Sequence, residues 1–112
     1  MFIYHIAEKT KWNEALKAGT YVPGAYQQDG FIHCSLEEQV LLVAKRYYQQ
    51  CNDLVLLKID SNLILAPLIF ENFDGKEELF PHIYGTLPIN AVVESLPLER
   101  DQHSSFIFPS FS

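Results

Sequence analysis

Three of the four histidines stand inside apolar, strand-like runs: Tyr4-His5-Ile6, Phe31-Ile32-His33-Cys34 and Phe80-Pro81-His82-Ile83-Tyr84. Imidazole is costly to bury unless its ring nitrogens find partners, so each setting points to a polar group held on a rigid apolar scaffold. Such groups act as acids, bases or metal ligands near neutral pH. Taken singly, His5 reads as a histidine bonded to a backbone carbonyl and His82 as a strand residue near a turn. The recurrence of the pattern suggests a shared site, provided the three strands converge. Glu71, directly after Leu68-Ile69-Phe70, is a carboxylate at a strand end that is either solvated or awaiting a partner. His103 lies among polar residues and reads as solvated.

Three imidazoles and a water would suit a catalytic zinc centre, but local ligand spacings such as H-E-x-x-H or C-x-x-C are absent. Metal-dependent hydrolysis is therefore a minor alternative, and no metal ligand is assigned. A Cys34 nucleophile with a histidine base is weaker, because Cys34 should project from the strand face opposite His33. No G-x-G-x-x-G or P-loop pattern occurs.

The elements that would position these residues belong to a chain of 112 residues, near the usual size of one domain, and residues 1–112 are read as such. It is 48% hydrophobic with eight Phe and six Tyr, which fits a globular protein. A formal charge of -6 and only two arginines, Arg46 and Arg100, oppose a phosphate-backbone binder, so a nucleic-acid partner is not expected. Cys34 and Cys51 do not form a secreted-scaffold pattern. With no basic-then-apolar leader at Met1 and no run of about 20 apolar residues, the expectation is a cytoplasmic protein without a membrane partner.

Phe2 to Ile6 reads as a first strand. Thr10 is the expected N-cap of a helix through Ala18, with Trp12, Ala15 and Leu16 on one side and Gly19 as its stop. Thr20 to Gly30 should be an irregular binding loop, and Gly30 to Cys34 a second strand. Ser35 and Glu38 match a capping box opening a helix to about Gln50, with Val40, Val43, Ala44 and Tyr47 toward the core. That start would set His33 two residues before backbone N–H groups able to hold an anion. Strands should follow at Leu54–Ile59, Leu63–Ile69 (broken by Pro67), Phe80–Tyr84 and Ala91–Leu96. Glu71 to Glu78 should form a hairpin loop around Gly75. Phe106-Ile107-Phe108 either packs back or marks an interface. The fold class is α+β.

Tyr4-His5-Ile6, Trp12, Gly30-Phe31-Ile32-His33-Cys34-Ser35, Glu38-Gln39-Val40 and Phe80-Pro81-His82-Ile83-Tyr84-Gly85 resemble the bacterial domain of unknown function DUF952, over Ile3 to about Val93. That family is similar in fold to ADP-ribosyltransferases, which implies split antiparallel β-sheets with two N-terminal helices and NAD bound in the cleft between the sheets. The resemblance implies that His5 bonds the NAD ribose, that His33 supports the nicotinamide side, and that Ser35 stands near a helix-start serine of related proteins. The third position of the superfamily is commonly a Glu; here that strand carries His82, as in the branch that includes RNA 2′-phosphotransferases. Glu71 would then supply a carboxylate from an adjacent strand, and Tyr84 would line the cleft. The implied function is use or binding of NAD or a related nucleotide. The alternatives are a non-catalytic small-metabolite module and a tri-histidine metal hydrolase.

Overall fold

A computed structural model describes residues 1–72 and 77–112. The element order is β1 (Phe2–Glu8), α1 (Lys9–Ala18), β2 (Thr20–Tyr21), α2 (Tyr26–Asp29), β3 (Ile32–His33), α3 (Val40–Tyr47), β4 (Leu54–Asp60), β5 (Leu68–Glu71), β6 (Phe80–Ile83), β7 (Leu87–Pro88) and β8 (Val92–Pro97). All strand pairings are antiparallel, in sheets ordered β1-β4-β8, β2-β7 and β3-β6-β5. This is an α+β architecture with its α-helices early, as expected, although the described residues hold three α-helices instead of two, α2 being a single added turn.

Strands β1 and β4 are buried on both faces, which is why they read as nearly unbroken apolar runs. Strand alternation sends Ile3, Ala7, Leu57 and Ile59 into one core, shared with Trp12 and Ala15 of α1 and with Ile32 and Ile83 of the β3-β6-β5 sheet. The opposite row of Tyr4, Ile6, Leu54 and Leu56 packs under Val40 and Ala44 of α3. The aromatic tail completes this second core. Phe108 and Phe111 lie 5.6 and 5.8 Å from the Tyr4 ring, so the tail packs back onto the chain. Arg100 holds the tail in place: it lies 4.0 Å above the Phe106 ring and donates to the carbonyls of Gln49 (2.8 Å) and Cys51 (2.7 Å) just after α3.

Several local expectations are corrected. β1 runs straight into α1, so Glu8 occupies the N-cap position instead of Thr10, and Leu16 is exposed while Trp12 and Ala15 are buried. Gly19 does end α1, with φ 85° and its N–H on Ala15 O. Ser35 does not cap a helix, because its backbone stays extended and exchanges two hydrogen bonds with Tyr4 of β1 (2.7 and 2.8 Å). The helical path therefore starts later, as a 3₁₀ turn at Glu37–Gln39 leading into α3. Gln39 carries the turn: its side-chain oxygen accepts from Leu36 N–H at 2.9 Å, and its amide donates to Leu79 O at 2.9 Å and Glu78 Oε2 at 3.1 Å. α3 ends at Tyr47, which is exposed rather than in the core.

The expected strand at Leu63–Ile69 is displaced to Leu68–Glu71. Asp60 accepts from Asn62 N–H and turns Ser61–Leu63 into a 3₁₀ step, and β5 begins just after Pro67, whose ring nitrogen has no donor. Thr20–Gly30 is not wholly irregular: Thr20 and Tyr21 pair with Pro88 and Leu87, and α2 precedes Gly30. The expected hairpin loop around Gly75 lies partly outside the described residues.

Candidate functional site

The β3-β6-β5 sheet has one core face and one chemical face. Ile32, Ile83 and Leu68 share the core face, so the alternate residues His33, His82 and Glu71 share the other. His33 and His82 are direct cross-strand partners, with ring centroids 5.2 Å apart. Phe31 completes the layer by stacking on His82 at 4.2 Å and packing against His33 at 4.6 Å and Tyr84 at 5.1 Å.

Each ring is held by its own carboxylate. His33 Nε2 bonds Asp29 Oδ2 at 2.8 Å, from the end of α2. His82 Nδ1 bonds Glu71 Oε1 at 2.9 Å, and Tyr84 donates its hydroxyl to the same oxygen. The hydrogen bonds from Tyr84 and His82 hold the Glu71 carboxyl below the usual carboxylate range. Burial lowers the His82 pKa below its ordinary value, against the opposing pull of Glu71. At neutral pH the pair is therefore an ionised Glu71 accepting from a neutral imidazole's Nδ1–H, which leaves the ring's lone pair on Nε2. A carboxylate oxygen accepts, so His33 Nε2–H is the donor to Asp29 Oδ2.

These two rings line a cavity of about 340 Å³ beneath α3. Ile6, Ala25, Val43 and Phe80 form apolar wall, and Tyr47 and Tyr48 add aromatic surface. Asp29 and Ser35 supply further polar groups, and the Ser35 hydroxyl has no hydrogen-bond partner among the described residues. Cys34 contributes to the wall but packs in the core cluster, where burial pushes its thiol far above the ordinary value and removes it as a nucleophile.

His5 belongs elsewhere. It sits in the Ile3-His5-Ala7 row facing the first core and is 5% exposed. A carbonyl can only accept, so Nδ1–H donates to His33 O (2.5 Å), and Nε2 accepts from the Tyr21 hydroxyl at 2.8 Å. Burial lowers its pKa to about 4, so the ring is neutral. With both nitrogens engaged and its ring outside the cavity wall, His5 braces the strand that carries His33. A three-histidine ligand set does not assemble, since the nitrogens of His5 are bonded within the protein. Among the described residues, no group of three or more His, Cys, Asp or Glu is arranged to hold a metal ion.

Of the expected site residues, the structure thus joins His33, His82 and Ser35 at the cavity, with Glu71 and Tyr84 supporting His82 from the neighbouring strand and turn. Asp29 and Tyr21 were not expected. Asp29 stands four residues before His33, a spacing with meaning on a helix that is hidden here because Gly30, at φ 80°, reverses the chain between them. Tyr21 is 1% exposed in a two-residue strand too short to show a period.

The family model described as protein of unknown function (DUF952) matches residues 6–95. The chain belongs to this family. The matched span includes α1, both carboxylate–histidine pairs, all of β4 and parts of β1 and β8. Among solved structures, the DUF952 chain is similar to the crystal structure of protein CC0527 from Caulobacter crescentus, with 28% identity, TM-score 0.85, and 96% of this chain and 94% of that chain covered. The solution NMR structure of CC0527 gives 28% identity and TM-score 0.80, covering 94% and 90% of the two chains. No curated protein matches. Among the described residues, no helix is long and apolar enough to cross a membrane.

Proposed function

We propose that this DUF952 protein takes a small ribosyl metabolite, NAD or a related nucleotide, into the cleft lined by His33 and His82. The observation that carries this reading is the pair of carboxylate-oriented imidazoles, 5.2 Å apart, on the wall of a cavity within the size range of ligand pockets. Two three-stranded antiparallel sheets joined where Tyr4 meets Ser35 support an ADP-ribosyltransferase-like arrangement. The carboxylate absent from β6 is supplied to that strand by Glu71 of β5.

In this reading His33 and Ser35 bond ribose hydroxyls, and His82, oriented by Glu71, accepts a proton from an acceptor hydroxyl or water. Orientation and proton transfer supply the rate enhancement. His5 fixes the His33 backbone and does not touch the ligand. The negative charge of the chain disfavours a nucleic-acid partner.

A specific observation favours a second reading, a binding module without turnover. Asp29 and Glu71 are both engaged by histidines, and Glu71 is not part of the cavity wall, so neither carboxylate stands unengaged against an anomeric carbon. Calorimetry with NAD, followed by assay of nicotinamide release, separates the readings. Binding and release, both lost in His82→Ala, support the enzyme. Binding without release supports the module, and binding of neither NAD nor its nicotinamide riboside portion to the folded protein overturns both.

A further inference from the structure

The polar groups of the cleft are unevenly charged. Among the described lining residues Asp29 is the one formal charge, and no Lys or Arg is present. Arg46 lies 6.0 Å from the Tyr47 ring but does not line the cavity. Both imidazoles already face carboxylates, and burial keeps His82 neutral. A phosphate placed here would lose water beside a carboxylate with no cation to offset the cost.

The helix start cannot substitute for a cation. The N–H groups of Cys34, Ser35, Leu36 and Gln39 are bonded to Pro81 O, Tyr4 O, Gln39 Oε1 and Leu36 O respectively. The intervening Glu37 and Glu38 place two more carboxylates on that turn. The anion site expected two residues beyond His33 is therefore reduced to the N–H groups of Glu37 and Glu38, two residues that carry carboxylates and do not line the cavity. What remains is an aromatic and apolar cavity with one carboxylate at its polar end, a combination suited to an aromatic cation.

Building on the proposed ribosyl-binding role, we infer that the cleft selects a phosphate-free aromatic cation, an N-ribosylated pyridinium, over its 5′-phosphate and over the dinucleotide. Asp29 compensates the ring charge and Tyr47, Tyr48 and Phe80 supply the aromatic surroundings, while His33, Ser35 and His82 meet the sugar. Any phosphate attached to the sugar is repelled by the Asp29 charge, and no cation of the lining offsets that repulsion.

The test is titration of the whole chain with nicotinamide riboside, its 5′-phosphate and NAD, by calorimetry and by NMR of the histidine rings. The riboside should bind about tenfold tighter or better than either phosphorylated form at low salt, the scale of one charge interaction near a protein surface. Asp29→Asn should erase most of that preference while leaving the dispersion of the spectrum unchanged. Equal or tighter binding of NAD, with the same shifts at His33 and His82, overturns this selectivity and leaves the ribosyl cleft standing. If none of the three binds, the ribosyl cleft falls and the selectivity with it.

Discussion

His33 and His82 are paired directly across β3 and β6, and each is held from its far side by a carboxylate of a different element, Asp29 at the end of α2 and Glu71 at the end of β5. The cross-strand register brings the rings to 5.2 Å, and the two carboxylates set which nitrogen of each ring carries the proton. Geometry and protonation are thus controlled by separate parts of the fold and can be perturbed independently.

Glu71→Gln should show this. Burial lowers the His82 pKa and Glu71 raises it, so removing the charge should drop the His82 pKa further below its ordinary value. The ring should stay in place, because Phe31 stacks on it and β3 and β5 flank its strand. Titration of the ring by NMR checks this. A rise in the His82 pKa would contradict the assigned polarity of the pair.

His5 makes stability depend on pH. Its folded pKa of about 4 lies below the ordinary 6.5, so the unfolded chain binds more protons between those values. Stability from this group is fully present above pH 6.5 and is lost as pH falls toward about 4, by an amount on the order of 3 kcal/mol. Glu71, whose folded pKa is also depressed, adds a loss of the same sign at lower pH. Urea unfolding across this range should show a falling midpoint, and His5→Gln should flatten the part near pH 6 to 5 even though it is less stable at pH 7.

Strands β1 and β4 were legible in the sequence as short, nearly unbroken apolar runs, and the end of α1 was legible from Gly19. His33 and His82 were legible for the same reason, as polar residues interrupting apolar runs. The role of His5 was not, since a histidine facing a core and one facing a cleft interrupt a strand identically. Which it is depends on Tyr21, whose partner strand lies far along the chain at Leu87 and Pro88. The helix start was misread by one residue in frame: Ser35-x-x-Glu38 and Leu36-x-x-Gln39 both present an acceptor at the third position, and the bridge from Ser35 to Tyr4 decides for Gln39. Asp29 escaped because α2 is a single turn, too short to show a period, and Gly30 reverses the chain before His33.

Arg100 should prove a stability residue, not a ligand-binding one. It gathers the carbonyls of Gln49 and Cys51 and covers the Phe106 ring, tying the tail to the end of α3. Arg100→Ala should cost about 1–3 kcal/mol, the scale of hydrogen bonds from a charged donor. Arg100→Lys should recover part of this, since an ammonium cannot reproduce the planar fork. Denaturant melts measure the loss, and any ligand found for the cleft should bind the folded variant unchanged.

Gly85 fixes the approach of the turn after β6 to the segment before β5. Its φ is not in the left-handed region, so the requirement for glycine comes from space: a Cβ there would stand 2.5 Å from the Ala66 Cβ and 3.8 Å from its Cα. The neighbour is a methyl on backbone, with no flexible arm to swing aside. Gly85→Ala should therefore destabilise by about 1–3 kcal/mol. It should also shift the Tyr84 and Glu71 signals, because Tyr84 N–H bonds Pro67 O beside the clash. Ala66→Gly should cost less alone and should relieve most of the loss in the double variant. A double-mutant cycle with no coupling would mean that the two residues do not meet as described.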